Sequence, residues 1–235
     1  MAIDDQQAPA LAIVIGASGG IGAALVDALQ DGGGFAQVLR LSRLSEPALD
    51  LHSEASIEGA AAFAAARGEV RLVINAAGFL HDVRFAPERS TREIDPQHMR
   101  ESFAINAIGP ALLMKHFLPL LPRHGRAVFA SLSARVGSIG DNRLGGWHSY
   151  RASKAALNQL VRTAAIELKR TRPEAICVAL HPGTVATRLS QPFAKPGLNV
   201  RKPEEAASDL LAVIDRLTPE QSGGFFDYAG AELPW

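Results

Sequence analysis

A short apolar run that leads straight into a glycine-rich turn is the feature that most restricts the fold of this chain. Residues Leu11 to Ile15 read LAIVI, and the next seven residues read GASGGIG. A continuous run rich in β-branched residues is typical of a strand buried on both faces. A helical pattern with Ile21, Leu25 and Leu29 on one face follows the turn. Strand, glycine turn and helix in this order predict a βα unit whose helix N-terminus can bind a pyrophosphate. An ordinary flexible βα turn is the alternative.

The spacing of the glycines distinguishes this turn from the commoner phosphate-binding motifs. Gly16, Gly20 and Gly22 form GxxxGxG, whereas the common dinucleotide fingerprint is GxGxxG. The turn is also not a P-loop, because no Lys-Ser or Lys-Thr pair follows it.

Strands and helices alternate along the rest of the chain. Apolar runs predict further strands at residues 37–41, 70–74, 126–132, 175–180 and 224–227, and helical patterns occupy residues 53–67, 97–121, 150–168 and 204–217. This alternation is typical of an α/β protein, and we predict a Rossmann fold with a doubly wound parallel sheet flanked by helices on both faces. A chain of 235 residues is expected to form one domain, residues 1–235. Residues 188–202 lack clear periodicity, and we predict a mobile lid there.

Composition excludes several classes of partner. The chain has 24 basic and 24 acidic residues, so its formal net charge is zero. Nucleic-acid and membrane-surface partners favour a basic surplus, and we expect neither. Cys177 lies in an apolar run and is predicted to be a buried strand residue, and we predict no metal site. We find no run of about 18 apolar residues and therefore expect no transmembrane helix. The N-terminus lacks the layout of a signal peptide, so we predict a cytoplasmic location.

The end of the second predicted strand indicates which dinucleotide is bound. In a dinucleotide site an acidic residue at this position binds the ribose hydroxyls, but here the strand ends in Ser42 and Arg43. A guanidinium recognises phosphate through its planar fork, so this pair favours the 2′-phosphate of NADP(H), with NAD(H) still possible. Asp50 follows soon after and is predicted either to lie beside the adenine or to be a plain turn residue.

Tyr150 and Lys154 are the strongest candidates for acid–base chemistry. They are four residues apart at the start of a helical pattern, so their side chains share one face. A free tyrosine titrates near pH ~10, and a nearby ammonium favours its phenolate. The pair is therefore expected to donate and accept a proton near neutral pH. An isolated tyrosine and lysine at this spacing are more often an ordinary helix start.

Other polar residues are expected at the same edge of the sheet. The third strand ends in Asn75, Ala76, Ala77 and Gly78, whose small side chains leave room for a ligand. Asn106 interrupts an apolar helix, where a buried amide needs a kink or a bound water to satisfy it. The next strand delivers two serines, Ser131 and Ser133, to one face of the sheet.

Taken together and in this order, GASGGIG, NAAG, the helix asparagine, the serine strand end, YxxxK and HPGTVAT resemble the short-chain dehydrogenase/reductase family. The resemblance covers nearly the whole chain. The loop VGSIGDNRLGGWHSYRASKAALN and the ending GGFFDYAGAELPW are similar to the branch of C-factor and sniffer-type carbonyl reductases.

The resemblance implies roles for individual residues. A catalytic tetrad would comprise Asn106, Ser133, Tyr150 and Lys154. The cofactor would contact the following residues: Gly16, Ser18, Gly20, Ile21 and Gly22 at the phosphates, Ser42, Arg43 and Asp50 at the adenosine, Asn75, Ala76, Ala77 and Gly78 beside it, and Tyr150, Lys154, Pro182, Gly183, Val185 and Thr187 around the nicotinamide and its ribose.

The chain departs from the family pattern at two positions. Ile15 stands where the family often has threonine, so one turn hydrogen bond is absent. The usual Ser-Ser-x-x-Gly becomes Ser133-Ala134-Arg135-Val136-Gly137, and counting back from Gly137 places the usual catalytic serine at Ala134. We predict that Ser133 takes the role, with Ser131 in reserve.

The expected function is reversible reduction of an aldehyde or ketone, with hydride from NADPH and a proton from Tyr150. Ser133 would bind the carbonyl oxygen, Lys154 the ribose hydroxyls, and Asn106 a water that links Lys154 to solvent. One alternative is a C-factor-like signalling or regulatory protein with little turnover. A nucleotide-sugar epimerase is disfavoured because little chain follows Pro182. The substrate is not identified by the sequence, and a homodimer or homotetramer is possible.

Overall fold

A six-stranded, entirely parallel sheet forms the centre of the protein. The computed structural model describes residues 10–193 and 199–235. The strands are β1 (Ala10–Ile15), β2 (Gln37–Leu41), β3 (Glu69–Asn75), β4 (Ala127–Leu132), β5 (Ala175–His181) and β8 (Phe225–Asp227), with a separate pair formed by β6 (Thr184–Val185) and β7 (Val200–Arg201). The helices are α1 (Gly20–Gly32), α2 (Glu54–Ala65), α3 (Pro96–Phe103), α4 (Gly109–Phe117), α5 (His148–Lys169) and α6 (Pro203–Arg216).

The strand order β2-β1-β3-β4-β5-β8 confirms the predicted doubly wound sheet. The chain leaves β1 toward one edge to form β2, then returns to the other side of β1 to form β3. In open parallel sheets a ligand crevice lies beyond the carboxyl ends of the strands at such a reversal. The segments that follow Ile15 and Asn75 therefore lie at the expected ligand crevice.

The two faces of the sheet bury separate apolar cores. On one face Ile13, Phe117 and Leu157 pack together, which joins β1 to α4 and α5. On the other face Leu25 and Leu210 pack among the strand residues, which joins α1 and α6. Because strand side chains alternate between faces, every second strand residue contributes to each core, and the strands therefore read as continuous apolar runs.

The turn after β1 needs its glycines because backbone atoms crowd it. Gly16 has φ +80, and a Cβ there would lie 2.7 Å from the backbone nitrogen of Ala77. A Cβ on Gly22 would lie only 2.2 Å from the carbonyl oxygen of Gly16. The first contact brings the β1 turn against the end of β3, and the second lets α1 begin directly behind the turn.

The long helical segment Pro96–Leu120 contains the irregularity that Asn106 led us to expect. Asp95 accepts hydrogen bonds from the backbone nitrogens of Gln97 (2.6 Å) and His98 (3.3 Å), and a π-helical turn over Ala104–Ile108 separates α3 from α4. By length and composition alone this segment is long and apolar enough to cross a membrane, which the search for continuous apolar runs did not detect. Its side chains Leu113 and Phe117 are fully buried in the core.

Three connecting segments bear on the predicted site. Residues 79–93 lie between β3 and α3, and Leu80 and Glu88 in this segment are each only 2% exposed. Glu88 is buried because it binds the start of α5. Asp50 begins a turn, in which its carbonyl oxygen accepts from the backbone nitrogen of Ser53 (3.1 Å), and its own backbone nitrogen bonds to the Ser56 hydroxyl. The predicted lid falls partly on residues 194–198, which lie outside the described residues. A short 3-10 turn, Gln191–Phe193, precedes that gap.

Candidate active site

Helix α5 buries Tyr150 and Lys154 side by side at the carboxyl edge of the sheet. Their exposed fractions are 8% and 3%, and the Lys154 Nζ lies 5.9 Å from the centre of the Tyr150 ring. Lys154 Nζ donates a hydrogen bond of 2.9 Å to the carbonyl oxygen of Leu132, the last residue of β4. The spacing of four residues therefore places both groups on one helix face and against one strand end, as the sequence predicts.

Burial sets the protonation chemistry of this pair. It raises the pKa of the Tyr150 hydroxyl and lowers the pKa of the Lys154 ammonium to about 7. The sequence predicts that the Lys154 ammonium lowers the pKa of the Tyr150 phenol, but in the structure this pKa is raised. The reason is that Lys154 bonds to Leu132 and that removal of both groups from water penalises their charged forms.

Asn106 connects the π turn to α5 and to the segment after β3. Its Oδ1 accepts from the backbone nitrogen of Phe79 (2.8 Å), and its Nδ2 donates to the carbonyl of Phe79 (2.7 Å) and to Ser153 Oγ (3.1 Å). Ser153 Oγ in turn donates to the carbonyl of Tyr150 (2.9 Å). A Cβ built on Gly78 would lie 3.6 Å from Asn106 Oδ1 and 3.7 Å from Lys154 Nζ. The π turn, the strand end and α5 therefore meet at one place.

The two candidate serines have other buried partners. Ser133 Oγ donates a 2.6 Å hydrogen bond to Asn158 Oδ1, and Ser131 Oγ accepts from Asn75 Nδ2 at 3.1 Å. Asn158 lies eight residues beyond Tyr150, which is about 12 Å along the helix axis. The structure thus engages the Ser133 hydroxyl with Asn158.

The end of β3 forms the wall between the β1 turn and α5. Asn75 is fully buried, and its Oδ1 accepts from the backbone nitrogen of Ala77 (3.1 Å). This bond, with the bond to Ser131, fixes the turn of Ala76, Ala77 and Gly78 against Gly16. The small side chains that the sequence places here let two backbone segments approach closely.

The N-terminus of α1 has the properties of an anion site. Its N-cap is Gly19, which has no side chain to accept hydrogen bonds from the first amides, and the first turn contains no acidic residue. The first amides of the helix therefore carry a partial positive charge that no side chain of the cap offsets. Gly20 faces Thr187, whose Cγ2 would lie 3.1 Å from a Cβ on the glycine. The backbone around Ser18, Ile21 and Gly22 thus suits a pyrophosphate, and a side chain at Gly16 or Gly22 would clash with the backbone.

The segment after β5 returns to this turn. Gly183 has φ +79 and follows Pro182, while Val185 is buried. The backbone nitrogen of Thr187 donates a hydrogen bond to Ser190 Oγ (3.2 Å). Residues 182–187 therefore pass from the end of β5 to the N-terminus of α1, as expected of a chain that covers one side of a dinucleotide.

The predicted adenosine end lies at the carboxyl end of β2. Ser42 Oγ accepts from the backbone nitrogen of Leu44 (3.1 Å), and the Arg43 side chain is exposed. The backbone N–H of His52 holds the pKa of the Asp50 carboxyl below its usual value, and the positive charge of Arg43 contributes further. Asp50 also bonds to the His52 ring at 3.1 Å. Arg43 and Asp50 are therefore close enough to interact electrostatically at one corner of the crevice.

An aromatic wall stands next to Tyr150. The Trp147 ring meets Tyr150 edge-on at 6.2 Å and Phe193 at 5.2 Å, and Phe193 meets His81 at 5.2 Å. Trp147 is the one non-glycine residue with positive φ (φ 51) among the described residues. Non-glycine residues in this conformation are uncommon and cluster at functional sites.

Comparison with known proteins agrees with this geometry. The family model described as short chain dehydrogenase matches residues 10–196. The chain belongs to the short-chain dehydrogenase family. The C-signal protein of Myxococcus xanthus is 40% identical over 144 residues, which is 61% of this chain and 82% of that protein. The 1-hydroxy-2-glutathionyl-2-methyl-3-butene dehydrogenase of Rhodococcus sp. (strain AD45) is 36% identical over 192 residues, 81% of this chain and 80% of that protein.

Solved structures of two carbonyl reductases have the same fold. A carbonyl reductase from chicken fatty liver, solved with NADPH bound, superposes with a TM-score of 0.84 at 27% identity and covers 97% of this chain and 95% of its own. The carbonyl reductase Sniffer of D. melanogaster gives 0.79 at 23% identity, with 98% and 100% covered, and supports the fold. The resemblance inferred from the motifs is therefore confirmed, and the chain is an oxidoreductase of the short-chain dehydrogenase family.

Two side chains of this short-chain dehydrogenase escaped the sequence reasoning. Asn158 binds Ser133, and its position four residues after Lys154 on the same helix face was a readable signal. Glu88 binds the start of α5 from a distant loop, and no sequence spacing indicates that contact.

Proposed function

We propose that this protein is an NADPH-dependent carbonyl reductase that reversibly converts an aldehyde or ketone to an alcohol. The observation that carries the proposal is the buried pair of Tyr150 and Lys154, packed against the end of β4 near the glycine turn of β1. The NADPH-bound carbonyl reductase among its structural neighbours supports the same choice. When bound, the nicotinamide cofactor supplies the hydride.

Tyr150 is the proposed general acid. In the direction of reduction its hydroxyl donates the proton to the carbonyl oxygen as negative charge develops there. The raised pKa of Tyr150 keeps the hydroxyl protonated before the reaction. Positive charge on the Lys154 ammonium would stabilise the phenolate that remains, and the cofactor, when bound, would add positive charge after it has given up the hydride.

Lys154 and Asn106 are proposed to complete the proton path. A pKa of about 7 lets the Lys154 ammonium release and regain a proton near neutral pH. The same ammonium is proposed to bind the ribose hydroxyls. Asn106 holds the π turn against Phe79, and we propose that a water at this turn links Lys154 to solvent.

The role of Ser133 as the carbonyl-binding hydroxyl stays a prediction. We set against it a structural role in which the hydroxyl holds Asn158, and a substitution separates the two. Because its hydroxyl is bonded to Asn158, we expect Ser133→Ala to lower kcat by less than about tenfold, and to lower stability by about 1 kcal/mol through loss of that hydrogen bond. Steady-state kinetics and thermal unfolding measure the two effects, with Ser131→Ala for comparison. A loss of kcat close to that of a Tyr150 variant would instead assign the carbonyl to Ser133.

Arg43 is proposed to select NADPH over NADH through the 2′-phosphate. A charge-assisted hydrogen bond contributes about 1.5–3 kcal/mol, so we expect Arg43→Ala to raise the KM for NADPH by about 10- to 100-fold and to leave the KM for NADH nearly unchanged. Arg40→Ala is the matched control, because Arg40 is also exposed and lies on β2. Equal changes in the KM values for NADPH and NADH would show that Arg43 does not bind the 2′-phosphate.

The second candidate function is signalling with little turnover. The 40% identity to the C-signal protein supports it. Purified protein with NADPH and a panel of aldehydes and ketones separates the two candidates through loss of absorbance at the nicotinamide band. We expect turnover with at least one carbonyl compound. Tight NADPH binding without turnover on any compound would favour the signalling role.

We further propose a small-molecule substrate, a cytoplasmic location, and assembly as a homodimer or homotetramer. Trp147, Phe193 and His81 stand beside Tyr150 and are the proposed walls of the substrate pocket.

A further inference from the structure

Glu88 is a buried carboxylate that the proposed reaction does not use. It lies in the loop between β3 and α3 and is 2% exposed. Burial of an ionisable group is costly unless hydrogen bonds or an opposite charge offset the loss of water. A carboxylate kept in such a position needs an explanation in the contacts that it makes.

The hydrogen bonds of Glu88 lead to the start of α5. Both carboxylate oxygens accept from the backbone nitrogen of Ser149 at 3.3 Å, and Oε1 also accepts from the Ser149 hydroxyl. The carbonyl oxygen of Glu88 accepts from the backbone nitrogen of Trp147 at 2.5 Å. Glu88 therefore holds the residues on either side of His148, the first residue of α5, and Tyr150 follows immediately.

His98 on α3 fixes the other side of Glu88. Its Nε2 lies 3.2 Å from the carbonyl oxygen of Leu80, and its Nδ1 lies 3.5 Å from Glu88 Oε1. A carbonyl oxygen can only accept, so Nε2 carries a hydrogen. Glu88 Oε1 is thus within ion-pair distance of the His98 ring, and the bond between Nε2 and Leu80 holds that ring in place.

Aromatic rings exclude water from this pair. Phe85 stacks on the His98 ring at 5.1 Å with the planes 4° apart, and Phe79 meets it edge-on at 5.8 Å. Phe79 is itself held at both backbone atoms by Asn106. The low-dielectric surroundings strengthen the hydrogen bonds of Glu88. Phe79, which helps to form these surroundings, belongs to the same loop that Asn106 holds.

We propose that Glu88, oriented by His98, is a positioning residue that fixes the first turn of α5 and thereby the Tyr150 hydroxyl. Two features show that position matters there. Trp147 is held with φ 51, which its bond to Glu88 stabilises, and its ring packs against that of Tyr150. Misplacement of a reacting group by about 1 Å can reduce turnover by about 100-fold. The inference rests on the proposed role of Tyr150 as general acid.

Two substitutions at Glu88 separate positioning from simple folding. Glu88→Ala removes every side-chain acceptor, and we expect kcat to fall between about 10- and 100-fold with the NADPH dissociation constant unchanged. Glu88→Gln keeps an oxygen that accepts from Ser149, and we expect kcat to return to within about threefold of the parent. Glu93→Ala is the control, because it removes an exposed carboxylate from the same connection. Thermal unfolding of each variant shows whether it is folded at the assay temperature.

A double-variant cycle with Tyr150→Phe provides the decisive result. If Glu88 acts through the Tyr150 hydroxyl, Glu88→Ala lowers the residual kcat of Tyr150→Phe by less than about twofold, since coupled residues are not additive. An undiminished effect in that background, or parental kcat in Glu88→Ala, would overturn the proposal. Parental turnover in Tyr150→Phe alone would instead overturn the proposed function, so the two failures are distinguishable.

Discussion

Replacement of Tyr150 by phenylalanine is expected to lower kcat for carbonyl reduction by about 1000-fold, because proton transfer from a positioned group contributes about 10²–10⁴ to the rate. The ring remains, so its packing against Trp147 at 6.2 Å and its place in the core are retained. We therefore expect the dissociation constant for NADPH, measured by fluorescence titration, to change by less than about threefold, and the thermal midpoint to stay close to that of the parent.

The chain offers a matched control for this experiment. Tyr228 is the second of its two tyrosines, and it packs under the guanidinium of Arg201 at 4.2 Å. Tyr228→Phe also removes one hydroxyl from a partly buried ring, and we expect parental kcat. If Tyr150→Phe retained near-parental reduction, the assignment of the general acid would be wrong.

Replacement of Lys154 by methionine is expected to abolish most turnover and to stabilise the fold. Methionine keeps a side chain of similar length but lacks the charge, so we expect kcat to fall by about 100-fold or more through loss of the ammonium from the proton path. The folded-state pKa of about 7 lies well below 10.5, so burial of the charge costs on the order of 4 kcal/mol at or below neutral pH. The lost bond to Leu132 offsets part of that gain, which leaves a net increase of about 2 kcal/mol in the free energy of unfolding.

The stability gained by Lys154→Met is expected to depend on pH. Between pH 7 and 10.5 the unfolded lysine binds more protons than the folded one, so the stability of the parent rises with pH across this window. The advantage of Lys154→Met is therefore greatest below pH 7. Because the parent gains about 1.4 kcal/mol per pH unit above pH 7, a net advantage of about 2 kcal/mol disappears near pH ~8.5. Urea unfolding at several pH values measures it. Lys169→Met is the control, because Lys169 is exposed at the end of the same helix. A destabilised Lys154→Met at pH 7 would contradict the expectation.

Local sequence patterns predict most of this fold, because each pattern arises from burial, capping or a backbone irregularity within a few residues of it. The run from Leu11 to Ile15 is apolar because β1 is buried on both faces, and Ser53 begins α2 because its hydroxyl accepts from Ser56. Asn106 in an apolar helix indicated an irregular turn, and a π turn is found there. In each case the cause lies within a few residues of the signal.

Contacts between distant segments explain what the sequence could not predict. Ser133 follows a buried strand, and its position in the sequence does not indicate that its hydroxyl donates to Asn158 on another element. Glu88 lies among polar residues typical of a surface loop, and only the packing of α3 against α5 brings it to Ser149. The expected effect of Lys154 on the pKa of Tyr150 failed for a similar reason, since burial depends on the whole fold.

The loop from Gly78 to Glu88 is anchored at both of its ends, at Phe79 by Asn106 and at Glu88 by Ser149. Between these anchors Val83 is fully solvent-exposed. Lengthening a flexible loop costs little when its ends are already fixed. We therefore expect a peptide tag inserted at this tip to leave the start of α5 in place.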